Sequence, residues 1–206
     1  MLDDAPTPPS FSPGPPLRLY PKLLGAAWEA LDPAVQRVHT DDALTHAEGI
    51  FQVSRAPGWL LGRIFDVAQV PRASQTAQVR LAVSHRGLVE RWHRTFGGLP
   101  LVTFQFEAPG GLLGERIGLF EFWSSLVVKQ GTLLYRQERS ALRLGRIRIP
   151  LPEWLSIKVA GREGPADAGN HSIPHTRVDV RVTAPGGGLL FAYRGTVHWR
   201  SGDDDA

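Results

Sequence analysis

The chain has 206 residues, 42% hydrophobic and 21% charged, a composition typical of one globular domain with a single core. It contains no cysteine, which excludes disulfides and thiolate metal sites, and no apolar run reaches the ~18 residues of a membrane-spanning helix. The formal net charge is +3, but five of the 20 acidic residues lie in the two tails, which leaves 15 against 23 basic residues in the body of the chain.

The two ends of the chain differ from its middle. Residues 1–16 hold six prolines and few groups that could pack, which predicts a disordered leader. Residues 201–206 form an acidic tail, so we expect one domain over 17–200. Because the leader is acidic where a secretion signal would be basic and then apolar, we expect a cytoplasmic protein.

Helix signals are confined to the N-terminal third. Apolar residues recur at spacings of three and four over 19–31, which predicts an amphipathic helix. Asp32 followed by Pro33 is typical of a helix start and predicts a second helix through His39. The stretch 58–69 has a third apolar face and ends before Pro71.

The remainder of the chain is typical of strands separated by short turns. After a strand at 46–55, alternating segments follow at 76–84, 87–96, 100–108, 111–119, 121–129, 132–144, 156–163, 175–184 and 188–199. Residues 148–154 contain two prolines, so we expect them outside the sheet. The fold class predicted is α+β and mostly β: a curved antiparallel meander sheet or partly open β-barrel of about nine to ten strands, with two or three helices in the N-terminal third.

The segment 89–96 carries the first candidate site. Glu90, Trp92, Arg94 and Phe96 alternate onto one face, and burying Trp and Phe stabilises a fold by about 2–3 kcal/mol each, which favours this face as the concave one. Two charges on a concave face need ion-pair partners, water or a ligand. Cross-strand ion pairs and a ligand site both remain open.

Other polar residues are candidates for the same interior. Glu115 and Arg116 lie between two glycines, a pattern also typical of a bulge, and Tyr193 alternates in phase with core residues. His171 and His175 fall in a loop and do not form a metal motif. The chain shows no phosphate loop, nucleophile elbow or Ser/His/Asp set, so catalytic residues are unknown and we expect neither a metal nor a bound cofactor.

An arginine-rich stretch is a separate feature. Residues 136–148 contain five arginines, which suits a solvated strand face or a footprint for phosphate or anionic lipid. Because no recognition helix or stacking platform accompanies these charges, we do not expect nucleic-acid binding.

Several short motifs follow one another in a fixed order along the chain. They are "LYPKLLGAAWEALDPAVQRVH", "EGIFQVSR", "LLGRIFDVAQVP", "ERWHRTFGG", "GLLGERIG", "IPLPEWL" and "VDVRVTAPGGGLLFAYRG", which together span about 17–199. Their order and spacing resemble a bacterial family of domains of unknown function, DUF4166. Some members of that family are fused to an NAD(P)-binding dehydrogenase-like domain. This chain has no dinucleotide fingerprint, so the resemblance implies that any such cofactor would belong to a separate reductase-like partner.

Three functions are consistent with the sequence. The first is a binding domain whose concave sheet holds a lipid-like or other amphipathic small molecule, through Glu90, Trp92, Arg94, Phe96, Glu115, Arg116 and Tyr193. The second is an enzyme on the same scaffold that uses Glu90 or Glu115 as a general base, which requires a carboxylate with a raised pKa. The third is a non-catalytic partner of a separate reductase, which predicts an exposed apolar patch.

Overall fold

The computed structural model describes residues 18–40, 46–67, 70–166 and 175–200, so the expected leader and acidic tail lie outside the described residues. The helices are α1 (Leu19–Leu24), a 3-10 helix (Gly25–Ala30), α2 (Pro33–Thr40) and α3 (Trp59–Val67). The strands are β1 (His46–Arg55), β2 (Ser74–Arg86), β3 (Val89–Phe96), β4 (Leu99–Ala108), β5 (Leu112–Ile117), β6 (Phe120–Lys129), β7 (Thr132–Leu144), β8 (Ile147–Pro150), β9 (Lys158–Pro165), β10 (His175–Thr183) and β11 (Leu189–Arg200).

The strands form one antiparallel sheet that closes on itself. Its order is β6-β5-β4-β3-β2-β1-β11-β10-β9-β7-β8, and an additional pairing of β6 with β7 joins ten of the strands into a barrel. The expectation of a partly open barrel is therefore wrong. The barrel closes because β7 is 13 residues long and pairs with β6 on one edge and with β9 on the other.

Strand β8 extends the sheet outside the closed wall. A register shift in the pairing of β6 with β7 falls between Trp123 and Ser124, and beyond it β7 pairs with β8 instead of β9. Residues 148–150 thus belong to a strand, contrary to the expectation that 148–154 lie outside the sheet. Pro150 is tolerated because it ends an edge strand, where its missing N–H breaks no ladder.

Two helical segments at the start of the chain close one end of the barrel. The helix expected over 19–31 is interrupted at Gly25, whose positive φ of 52° ends α1 and starts the 3-10 helix. Helix α2 begins as expected, with the Ala34 N–H donating to Asp32 Oδ1 at 2.8 Å. Leu19, Tyr20, Leu31 and Val35 from these segments pack with Leu113 and Leu133 of the barrel wall.

The main core fills the opposite half of the barrel, where Phe51, Phe96, Phe191 and Tyr193 form an aromatic cluster with ring centroids 5.3–6.1 Å apart. Near this end Phe65 of α3 is buried beneath the Arg55 guanidinium. Within the described residues, no helix combines the length and apolar character needed to cross a membrane.

Candidate functional site

The candidate site lies on the inner wall of the barrel, where the strand register brings residues of four strands onto one face. Glu90 pairs with His85 of β2 and Gln105 of β4, and Gln105 pairs with Glu115 of β5. Trp92 and Phe96 follow on the same face at alternate positions of β3 and are 5% and 3% exposed. Glu90, Trp92, Arg94, Phe96 and Glu115 therefore share the interior.

His39, which the sequence did not single out as a site residue, lies at the centre of this wall. It projects from α2 and is completely buried, with its ring stacked on Tyr20 at a centroid distance of 3.6 Å. Its Nδ1 lies 3.6 Å from Glu90 Oε2 and its Nε2 lies 3.5 Å from Glu163 Oε2. These separations suit ion pairs and exceed ordinary hydrogen bonds, so one imidazolium bridges two buried carboxylates.

The protonation states of this cluster follow from the pairing. Burial alone would lower the pKa of His39, but the carboxylates of Glu163 and Glu90 more than offset it and raise the pKa to about 9. Burial alone would raise the pKa of Glu90, but its contacts with His39 and His85 prevail and lower the pKa to about 2. At neutral pH His39 is therefore protonated and Glu90 is ionised.

Hydrogen bonds extend the cluster to the tyrosines. Tyr20 Oη donates to Gln105 Oε1 at 2.7 Å, Gln105 Nε2 lies 3.4 Å from Glu115 Oε1, and Tyr135 Oη donates to Glu163 Oε2 at 3.2 Å. Burial is the main cause that raises the pKa of Tyr20 and of Tyr135 well above the usual value. Both hydroxyls therefore remain proton donors at neutral pH.

Trp92 contacts both this cluster and Arg94 in the middle of the barrel. Its Nε1 donates to Glu90 Oε2 at 3.0 Å, and the Arg94 guanidinium lies over its ring at 4.9 Å. Arg94 Nη1 also donates to Thr103 Oγ1 at 3.0 Å. Within the described residues Arg94 forms no ion pair, so it does not neutralise Glu90, whose carboxylate lies against His39 and His85 instead.

The middle of the barrel contains polar groups that are not fully packed. Arg94, Glu115 and Tyr135 point inward but are only half-buried. In a closed barrel, the surface that an inward side chain retains faces internal space or the barrel mouth. Burial is the main cause that raises the pKa of Tyr193, and Arg94 and Glu115 also act on it electrostatically. Its hydroxyl makes no hydrogen bond to any described residue.

Arg116 lies on the other side of the wall from Glu115. It pairs with Phe104 and Glu121 on the outer face of β4, β5 and β6, and its guanidinium lies over the Phe104 ring at 5.0 Å. Because adjacent residues of a strand point to opposite faces, the two cannot both face the interior. The interpretation that Arg116 shares the interior is therefore wrong.

Glu90 does not meet the requirement set for a general base. A base must take up a proton near the working pH, whereas the pKa of Glu90 is lowered by its two histidines. The buried cluster thus has the properties of a fixed ion-pair network. Within the described part of the chain, no group of three His, Asp or Glu side chains is placed to hold a metal ion.

A cleft on the outer surface is separate from this site. It has a volume of about 1010 Å³ and is lined by outward-facing residues of β1, β2, β10 and β11, among them Glu48, Arg80 and Arg194. Glu48 and Arg80 form an exposed ion pair there at 3.4 Å, and Arg194 donates to Gln52 at 2.8 Å.

Comparison with known proteins places the fold in a family. The model of a domain of unknown function, DUF4166, matches residues 31–197. The chain belongs to the DUF4166 family. The match spans α2, α3 and the barrel strands as far as Val197, so it includes His39, Glu90 and Glu163. No curated protein matches the chain.

One solved structure, titled "GphF Dehydratase 1", matches this DUF4166 chain at 11% sequence identity with a TM-score of 0.19. The alignment covers 86% of this chain and 84% of the other. A score this low does not establish a common fold.

Proposed function

We propose that the barrel binds one small amphipathic molecule in its interior, with an acidic head group at Arg94 and an apolar body along Trp92 and Phe96. The observation that carries this proposal is Arg94, a half-buried guanidinium on the inner wall that forms no ion pair within the described residues. A cation removed from water in this way is costly unless an anion or water meets it.

The size of the barrel supports an internal ligand. Eight-stranded barrels have an interior that side chains just fill or that holds one small ligand, and the diameter grows with strand number. Here ten strands close the wall. The helices α1 and α2 occupy one end of the interior and the aromatic cluster fills the other, so an internal ligand would lie in the middle, beside the half-buried Arg94, Glu115 and Tyr135.

The chemistry of that space fits an acid. Arg94 offers charge-assisted donors that suit a carboxylate, and the protonated Tyr193 hydroxyl offers another. Glu115 supplies an acceptor on the neighbouring wall, which suits a hydroxyl near the acid. Phe96, two residues from Arg94, and Tyr193, on which Arg94 acts electrostatically, would border the rest of the molecule with apolar rings.

The test compares two probes of equal chain length, dodecanoate and dodecanol, by titration calorimetry and Trp fluorescence with the full chain. We expect dodecanoate to bind, and Arg94→Met to weaken it by about tenfold or more, the value of a lost charged hydrogen bond. Dodecanol binding should be unchanged by this substitution. Arg91→Met, on the exposed face of the same strand, is the matched control.

Two results would contradict the proposal. One is that neither probe binds the protein. The other is that Arg91→Met and Arg94→Met affect dodecanoate equally, since a role on the inner wall predicts a difference. Native mass spectrometry of the protein from its expression host gives an independent check, because a co-purified acid should be lost from Arg94→Met.

A further inference from the structure

The β7–β8 hairpin leaves the barrel wall with one apolar face exposed. Leu144 pairs with Ile147 and Leu142 pairs with Ile149, so these four side chains share a face. Leu144 is 51%, Ile147 65% and Ile149 44% exposed. These three side chains therefore lie largely in solvent.

The turn after β8 adds two more exposed apolar residues next to the hairpin. The Leu151 N–H donates to Ser140 O at 2.9 Å, and the Ser140 and Ser156 hydroxyls lie 2.6 Å apart. Ser140 is two residues from Leu142, so its side chain points to the apolar face of β7. Trp154 and Leu155, 75% and 50% exposed, lie in the turn between the anchored Leu151 and Ser156. We call the set Leu144, Ile147, Ile149, Trp154 and Leu155 the lip.

The hairpin that carries the lip is also rich in arginine. Residues 139–148 contain four arginines and no acidic residue. On the face opposite the lip, Arg143 and Arg148 contact the buried carboxylate of Glu121 at 3.6 and 2.7 Å. Arg139 and Arg146 are exposed, and Arg146 lies at the hairpin tip. The acids that flank this stretch in sequence, Glu138 and Glu153, contact Ser125 and Lys158 respectively.

We propose that the lip docks on the surface of an anionic lipid bilayer. Exposed Trp, Leu and Ile side chains enter the boundary between head groups and acyl chains, and arginines at the flanks contact lipid phosphates. The combination of an apolar strip with two exposed arginines that form no ion pair within the described residues, Arg139 and Arg146, selects this occupant. An apolar protein partner would not require the charges, and a nucleic acid would not require the apolar strip.

A second copy of the chain is the main competitor for this surface, because β8 is the free edge of the sheet. Strand β8 has only four residues, and its last residue, Pro150, has no N–H to donate. Edge-to-edge pairing would therefore be short. This argument is independent of the internal ligand, so either proposal can fail without the other.

The test is flotation of the full chain with vesicles of phosphatidylcholine, alone or mixed with phosphatidylglycerol. We expect binding to the mixed vesicles only, and its loss as salt is added. Arg146→Gln should weaken binding about fivefold, from the ~1 kcal/mol of a basic residue at an anionic surface. Ile147→Ser should weaken it about tenfold or more.

The control variants carry the same substitutions at residues of similar exposure on the far side of the sheet. Ile50 on β1 is 63% exposed, and 80% of the Arg80 side chain is exposed. The control variants Ile50→Ser and Arg80→Gln should bind the vesicles like the wild type. The proposal is overturned if the protein does not bind the mixed vesicles, or if the control variants lose as much vesicle binding as the lip variants. Light scattering that shows a dimer dissociated by Ile147→Ser would assign the lip to a second copy instead.

Discussion

The ion-pair network around His39 makes the stability of the protein depend on pH. A group whose pKa is raised on folding contributes stability that is complete below its unfolded pKa and is lost as the pH rises through its folded pKa. For His39 these limits are 6.5 and about 9. The difference corresponds to about 3 kcal/mol. The free energy of unfolding should therefore fall by about 3 kcal/mol between about pH 6 and pH 9.

Removing the imidazole should abolish this dependence. His39→Gln leaves Glu90 and Glu163 buried without their shared cation, so we expect a loss of about 3–5 kcal/mol at pH 6. The remaining stability should be nearly constant from pH 6 to pH 9. The assay is urea unfolding at several pH values, followed by Trp fluorescence, and His93→Gln on the outer face of the same barrel is the control.

Two outcomes would refute this reasoning. The first is a wild-type stability that rises between pH 6 and pH 9, which would mean that His39 is neutral in the folded protein. The second is that the free energy of unfolding of His39→Gln falls between pH 6 and pH 9 by as much as that of His93→Gln. The pH dependence would then belong to groups other than His39. The acid side has the opposite sign: the pKa of Glu90 is lowered to about 2, so its contribution is lost as the pH falls below 4.5.

Two further predictions concern packing. Trp92→Ala should cost about 3–5 kcal/mol in urea unfolding as a large-to-small change in the core, whereas Arg91→Ala on the exposed face should cost under about 0.5 kcal/mol; equal costs would invert the register of β3. Gly49→Ala should destabilise the barrel by several degrees in thermal melting, because the new Cβ would lie 2.2 Å from the backbone oxygen of Thr196. Gly62→Ala, with open space around its Cβ, should be neutral or stabilising, and a harmless Gly49→Ala would contradict the close approach of β1 and β11.

Much of the fold could be predicted because it depends on local signals. Alternation and turn residues place ten of the eleven strands within a few residues of their observed bounds, and Asp32-Pro33 marks the start of α2. Two features could not be predicted in this way. Strand β8 forms although its end carries Pro150, because it lies at an edge. Closure depends on β7 pairing with both neighbours, a long-range contact that no local pattern encodes.

In the candidate site too, local sequence signals predict some residues and miss one that depends on a long-range contact. Its β3 residues were accessible to sequence reasoning, because burying Trp92 and Phe96 determines which way Glu90 and Arg94 point. His39 was not, since a histidine near the end of an amphipathic helix is ordinarily solvated. Only the docking of α2 between β3 and β9 shows that it bridges Glu90 and Glu163.

The pairing of β1 with β11 bears on how the chain reaches its fold during synthesis. These are the first and last strands of the barrel in sequence, and they pair over ten residue pairs, from His46 with Arg200 to Arg55 with Phe191. Until β11 has left the ribosome, β1 and β10 each present an unpaired edge, and the apolar inner wall cannot be enclosed. A chain truncated before residue 189 therefore keeps two unpaired strand edges. We expect such a chain to aggregate or to be degraded rather than to retain partial function.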